Sequence, residues 1–256
     1  MTAAPRVPAT ITAVGPPGAP AIVFVHGTRL SRAAWAPQLD GLADEFRTIA
    51  LDLPGHGSRA GEPFTLEGAA ALVATTIRDQ AVDGRAVVVG LSLGGYVAME
   101  LVARDPGCVR GLVLAGATAE TVGVRSIAYR ALAVVMDRFD GPRLDRLNAW
   151  FFRARYPGSI AEPIVAGGFW SKGGARALHT LFGQRFMPRL AAYPGPTLIL
   201  NGEWDLLFRL SAGTFAAAAR DARRVRLGGA LHLSNLDRPD AFNDAVRRFA
   251  RSVGRA

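Results

Sequence analysis

Cysteine is almost missing from this sequence. Cys108 is the only one, which excludes an intramolecular disulfide and a cysteine-built metal cluster. It stands just ahead of an apolar run and reads as a small buried hydrophobe. Lysine is equally scarce, with Lys172 the sole one among 30 basic residues. Against 21 acidic residues these give a net charge of +9, carried by arginine. Such an excess fits a GC-rich genome as well as an anionic partner. The arginines are scattered, and the tightest group is Arg247, Arg248, Arg251 and Arg255. It shares a helical pattern with Phe242, Val246, Phe249 and Val253, which reads as a core face backed by a charged one. No continuous basic stripe with stacking aromatics occurs, so nucleic acid is not an expected partner. His26, His56, His179 and His232 are the only histidines, none paired at the helical spacing of a zinc site, so no metal is expected.

Long apolar helices are also missing. Residues 7–28 carry no charged side chain, but Pro16-Pro17-Gly18 and Pro20 break them, and the uncharged stretch 86–99 is too short to span a bilayer. No apolar signal core follows Met1–Arg6, so a cytoplasmic protein without a membrane partner is expected. What is abundant is hydrophobicity: half of the 256 residues, which excludes global disorder and allows one α/β domain or two smaller ones.

Apolar β-branched runs alternate with helix-like stretches. Residues 21–25, 46–51, 86–90, 109–115, 197–201 and 223–227 read as strands. Helical patterns cover 33–43, 66–80, 93–104, 208–220 and 238–252. That alternation predicts a mostly parallel sheet covered by helices on both faces, with right-handed crossovers. It stops between about 118 and 190, where helices are expected at 125–139, 142–152, 160–170 and 174–186. These carry many large apolar groups, including Trp150, Phe151 and Trp170, and fit either a further packed layer or a cap over an apolar substrate pocket.

The sharpest motif is Gly90-Leu91-Ser92-Leu93-Gly94-Gly95, between the run Ala86–Val89 and the helical pattern that follows. Strand, glycine-flanked serine and helix make a nucleophile elbow, whose tight turn lifts the hydroxyl clear of the sheet. A serine nucleophile needs a base, and the base an orienting acid. His232 follows the last strand and Asp205 the one before it, so both belong to the sheet edge that carries Ser92. Glu203 and Asp237 are the rival acids.

These motifs, with His26-Gly27, Asp52-Leu53-Pro54-Gly55-His56-Gly57-Ser58 and Asn201-Gly202-Glu203-Trp204-Asp205, make the chain resemble the α/β-hydrolases over nearly its whole length. The resemblance is to small, cofactor-independent esterases and enol-lactonases. It implies an α/β-hydrolase core at 1–117 and 191–256, a helical cap at 118–190, and no cofactor. Ser92, Asp205 and His232 would be the catalytic set, and the backbone N–H groups of Leu93 and Thr28 an oxyanion hole. His26 and His56 would be hydrogen-bonded scaffold. The substrate would be a small, largely apolar ester or lactone, cleaved through an acyl-serine by a monomer or homodimer. Carbon–carbon bond hydrolysis, lyase or perhydrolase chemistry, and non-catalytic ligand binding, are the alternatives the same fold allows. One departure stands out: Thr28-Arg29-Leu30-Ser31-Arg32 replaces the glycine-rich segment common after His-Gly. Arg29 is either exposed or an anchor for a substrate carboxylate, and Trp150, Phe151 and Trp170 are candidate contacts for the rest.

Overall fold

Strands with no polar alternation must be covered on both faces, and the most apolar runs lie mid-sheet. In a computed structural model, which describes residues 9–123 and 125–254, β2 (Ala21–Val25) and β4 (Ala86–Leu91) are buried at every position. With β1 (Ile11–Val14), β3 (Arg47–Leu51), β5 (Val109–Ala115), β6 (Pro196–Gly202) and β7 (Asp221–Leu227) they form one sheet, ordered β1-β3-β2-β4-β5-β6-β7. Only β1 runs antiparallel, against β3. The sheet is the α/β-hydrolase architecture that the sequence predicts. β1 has no counterpart among the expected strands: four residues between Pro/Gly breaks carry too little periodicity to be recognised.

Successive strand residues face opposite sides, so each strand feeds two cores. Val23, Val25, Val88, Leu112, Leu114 and Ile199 meet α2 (Leu66–Gln80) and α3 (Leu93–Arg104) on one face. Ile22, Phe24, Val87, Val89, Leu91, Val113 and Leu200 meet α1 (Ala36–Gly41) and the terminal helix on the other. Phe24, Trp35 and Phe242 pack there as tilted rings with centroids 4.9 and 5.9 Å apart. Each such fully buried aromatic contributes about 1.5–3 kcal/mol of hydrophobic stabilisation.

Helices α4 (Arg125–Arg138), α5 (Pro142–Arg155), α6 (Gly158–Gly167), α7 (Ser171–Leu181) and α8 (Met187–Ala192) occupy the stretch between β5 and β6. A third cluster, with Leu30, Phe152, Tyr156, Ile164, Phe169 and Leu236, fastens α5 and α6 to the segment after β2. The expected helix 33–43 is shorter: a 3₁₀ turn at Arg32–Trp35 precedes α1, because Pro37 lacks an N–H and fits only a first helical turn. The expected helix 208–220 is two, α9 (Leu206–Arg209) and α10 (Ala212–Ala218); Thr118 Oγ1 donates to Phe208 O at 2.7 Å and takes a carbonyl that would have continued the first. Two helices close the chain, α11 (Ser234–Asp237) and α12 (Pro239–Val253), the latter burying Phe242, Val246, Phe249 and Val253 as its stripe predicts. Among the described residues no helix is long and apolar enough to cross a membrane.

The site's location follows from the topology. The chain leaves β2 toward α1 on one face and leaves its neighbour β4 toward α3 on the other. Connections that diverge from adjacent parallel strands open a crevice at their carboxyl ends. Gly27 and Ser92 stand at its two sides.

Candidate active site

Ser92 sits between β4 and α3 with φ +52° and ψ −115°. Among the described residues only it and Arg29, at +66°, have positive φ without being glycine. Backbone held in such a sparsely populated region costs about 1–3 kcal/mol and persists only where its surroundings enforce it. Two flanking glycines do so. A Cβ on Gly90 would overlap the Gly94 carbonyl, and one on Gly94 would overlap Val25 O of β2. The Ser92 amide donates to Ala115 O, at the end of β5, at 2.8 Å. The elbow is thus clamped between β2 and β5. Leu93 opens α3, where an N–H has no partner four residues back and points toward whatever lies before the helix.

Asp205 is buried at the start of α9, and its Oδ2 lies 2.9 Å from His232 Nδ1. That bond assigns the ring proton to Nδ1 and leaves Nε2 as the acceptor. The imidazole lies flat on Phe208, at 4.9 Å and 18° between planes, which fixes its tilt. Ring and carboxylate both rest against Gly116, the residue after β5, whose φ is +54°. A Cβ there would stand 2.9 Å from His232 Cε1 and Nδ1 and 3.0 Å from Asp205 Oδ2. Ser92 is bound to Ala115, so the serine and the His–Asp pair converge on one dipeptide. Among the described residues no hydrogen bond yet joins Ser92 Oγ to His232; such bonds are often long without substrate and tighten when it binds.

The rival acids have other partners. Glu203 Oε2 accepts from Gly229 N–H at 2.9 Å, and Asp237 accepts from Leu231 N–H at 2.7 Å and Tyr156 Oη at 2.9 Å.

Across the crevice, a Cβ on Gly27 would lie 3.5 Å from Ser92 Cβ, so the Thr28 segment runs beside Ser92. His26 is buried and neutral by its bonding: Nδ1–H donates to Gly27 O at 2.8 Å, and Nε2 accepts from Leu53 N–H at 3.0 Å. Burial holds its pKa below the ordinary value. His56 donates from Nδ1 to Pro54 O at 3.0 Å, and burial lowers its pKa to about 3. Burial would raise Asp52, but N–H groups of Arg32 and Ser58 and the Ser58 hydroxyl outweigh it and keep the carboxylate charged. These groups brace the loops and do not reach Ser92.

Arg29 turns toward the helical insertion. Its carbonyl accepts from Trp170 N–H at 2.9 Å, and its Nη2 donates to Asn148 Oδ1 of α5 at 2.7 Å. Trp170 spends its indole N–H on Gly167 O at 3.0 Å. Trp150 and Phe151 are exposed on α5, and none of the three is brought onto Ser92 by a described contact. His179 is exposed on α7 and packs on Phe182. Gly116, Phe208 and Asn148 were not among the sequence's candidates: a glycine, a phenylalanine and an asparagine in these stretches carry no spacing signal.

The profile described as "Alpha/beta hydrolase family" matches residues 22–245. A pimeloyl-[acyl-carrier protein] methyl ester esterase of Xanthomonas campestris pv. campestris is 31% identical over 257 residues, covering 91% of this chain and 96% of its own. The 3-oxoadipate enol-lactonase 1 of Acinetobacter baylyi is 26% identical over 244 residues, covering 93% and 91%. Among solved structures, a thermophilic esterase from Thermogutta terrifontis superposes with a TM-score of 0.79 at 25% identity, covering 95% of this chain and 93% of that one.

Proposed function

This chain belongs to the alpha/beta hydrolase family of enzymes, and we propose that it cleaves a carboxylic ester or lactone through an acyl enzyme on Ser92. The observation that carries the proposal is the His232 Nδ1–Asp205 Oδ2 bond of 2.9 Å, held against Gly116 where β5 also clamps the strained serine.

In the mechanism, Ser92 Oγ attacks the ester carbonyl as its proton passes to His232 Nε2. Asp205 keeps the ring oriented and stabilises the imidazolium. The N–H groups of Leu93 and Thr28 receive the negative charge on the tetrahedral oxygen, each such donor lowering the barrier by about 2.7–4 kcal/mol. Collapse breaks the C–O bond, and His232 returns the proton to the leaving alkoxide. Water, deprotonated by His232, then attacks the acyl carbon and frees the acid and Ser92. A lactone follows the same course, its alcohol remaining part of the product.

The helical insertion, residues 118–190, is read as a cap. Exposed Trp204, Leu206, Leu207 and Leu231 flank Asp205 and His232, and so favour a largely apolar group at the mouth. Esterase and enol-lactonase relatives support ester or lactone cleavage. The test is a fluorophosphonate probe followed by peptide mass analysis. One adduct, on Ser92 and lost in Ser92→Ala, is expected; no adduct on folded protein, or one elsewhere, overturns the proposal.

A further inference from the structure

The segment after β2 carries a half-buried charge that its surroundings leave under-compensated. Among the described residues the Arg29 guanidinium has one hydrogen-bond acceptor, Asn148 Oδ1 at 2.7 Å, although it presents five N–H donors. Burial pulls it below the ordinary arginine pKa, and the charge of Asp145 only partly offsets this. Asp145 makes no ion pair with it among the described residues, and its own carboxyl is raised by burial, then by Asp140. Asn148 Oδ1 accepts from Arg29, and the Nδ2 donors of the same amide are buried without a partner. Thr28 Oγ1 and Asp145 Oδ1 are likewise buried and unsatisfied. Buried polar groups left without partners are costly, and their clustering marks a place where a polar ligand completes the set.

Arg29 and Asn148 Nδ2 present spare donors around a planar cation, with Asp145 Oδ1 as the competing unsatisfied carboxylate oxygen. A carboxylate matches it, because two oxygens accept in parallel from a guanidinium fork. The location fits a substrate. Gly27 lies against Ser92, and Arg29 is two residues further, about 3.8 Å of chain per residue. The left-handed backbone at Arg29 turns its side chain under α5, facing Asn148.

We propose that Arg29 and the Nδ2 amide of Asn148 recognise a carboxylate on the substrate, several bonds from the ester that Ser92 attacks. This makes the substrate a half-ester, or the lactone equivalent, of a short dicarboxylic acid, and it rests on the hydrolase reading of Ser92. The competing role is a clamp that only ties the β2 loop to α5. A clamp has no use for the unpartnered Nδ2 and remaining guanidinium donors.

The test compares two aryl esters of matched shape, mono-4-nitrophenyl glutarate and 4-nitrophenyl 5-methylhexanoate, in which isopropyl replaces the carboxylate. The wild-type enzyme is expected to favour the glutarate in kcat/KM. In Arg29→Asn, chosen because asparagine tolerates the left-handed region, that ratio should fall ten- to hundredfold, the loss of one charge-assisted contact. Arg29→Lys should recover part of it. Asp145→Asn, which removes a competing carboxylate, should raise the ratio. A wild-type ratio near one, or equal losses on both esters in Arg29→Asn, would leave only the clamp and overturn the proposal. Binding of free glutarate, followed by calorimetry in wild type, Ser92→Ala and Arg29→Asn, separates the two readings. If neither ester turns over but glutarate binds and is lost in Arg29→Asn, the subsite stands and the hydrolase reading fails. If the 5-methylhexanoate turns over and glutarate does not bind, the subsite fails alone.

Discussion

Replacing Gly116 by alanine would place one methyl group between the His232–Asp205 pair and the strand end that supports it. The new Cβ would lie 2.9 Å from two atoms of the His232 ring and 3.0 Å from Asp205 Oδ2. Non-bonded carbon atoms prefer about 3.5–4.0 Å, so ring and carboxylate must retreat by roughly 0.5–1 Å. A displacement near 1 Å in a positioned catalytic group costs on the order of 100-fold in rate. The backbone adds its own penalty: φ is +54° at Gly116, and an L-residue in the left-handed region costs about 1–2 kcal/mol. For a chain of this size that lowers Tm by roughly 2–8 °C. The assay is kcat for a 4-nitrophenyl ester beside a thermal melt of the same preparation. Both values should drop together. A folded Gly116→Ala protein with kcat within twofold of wild type would show that His232 and Asp205 do not rest on Gly116 in the working enzyme.

Three further outcomes follow from the same geometry. Asp205→Asn should lower kcat by about 10⁴, since the amide favours the wrong imidazole tautomer, whereas Glu203→Gln should leave kcat of the same order; the reverse pattern would move the acid to Glu203. His56 stays neutral in the folded protein down to about pH 3, while an unfolded histidine takes a proton near 6.5. Its folded pKa is depressed, so stability is full above about 6.5 and falls with acid by about 1.4 kcal/mol per pH unit down to about 3. Urea unfolding at pH 7 and 5 should show His56→Gln with a smaller difference than wild type; an equal difference would refute the assignment. Phe242→Ala, at a fully buried ring against Trp35, should cost about 3–5 kcal/mol in the same assay, and a loss below about 1 kcal/mol would mean the site refills.

Much of the fold was legible because its inner strands have no polar alternation. Residues 21–25 and 109–115 carry their own boundaries. The elbow was legible because close approach demands glycine at fixed offsets from Ser92. The acid was less so: Glu203, Asp205 and Asp237 all border the loops after β6 and β7, and only side-chain direction distinguishes them. Arg29 and Asn148 lie 119 positions apart, and no periodicity links them. The break at Leu210–Ser211 depends on Thr118, a residue from another strand end.

The sheet explains why the Gly116 contacts carry no sequence signal. From β4 to β7 is three strand steps of about 4.8 Å, roughly 14 Å, too far for a serine and a histidine at the strand ends to meet. The loops after β6 and β7 close that gap by pairing with each other. Glu203 N–H donates to Leu227 O and Trp204 N–H to Ala230 O, each at 2.9 Å, while a Cβ on Gly202 would overlap the carbonyls of Ala230 and Leu231. Together they lean back over β5, where Gly116 offers no side chain to obstruct them and its amide donates to Leu200 O at 3.1 Å. From the other side β4 is drawn in through Ser92 N–H and Ala115 O at 2.8 Å. The meeting point is therefore the end of a strand that supplies none of Ser92, Asp205 and His232. A residue with no chemistry of its own controls the geometry, and substitutions at Gly116 should impair catalysis more than most changes within the α4–α8 insertion.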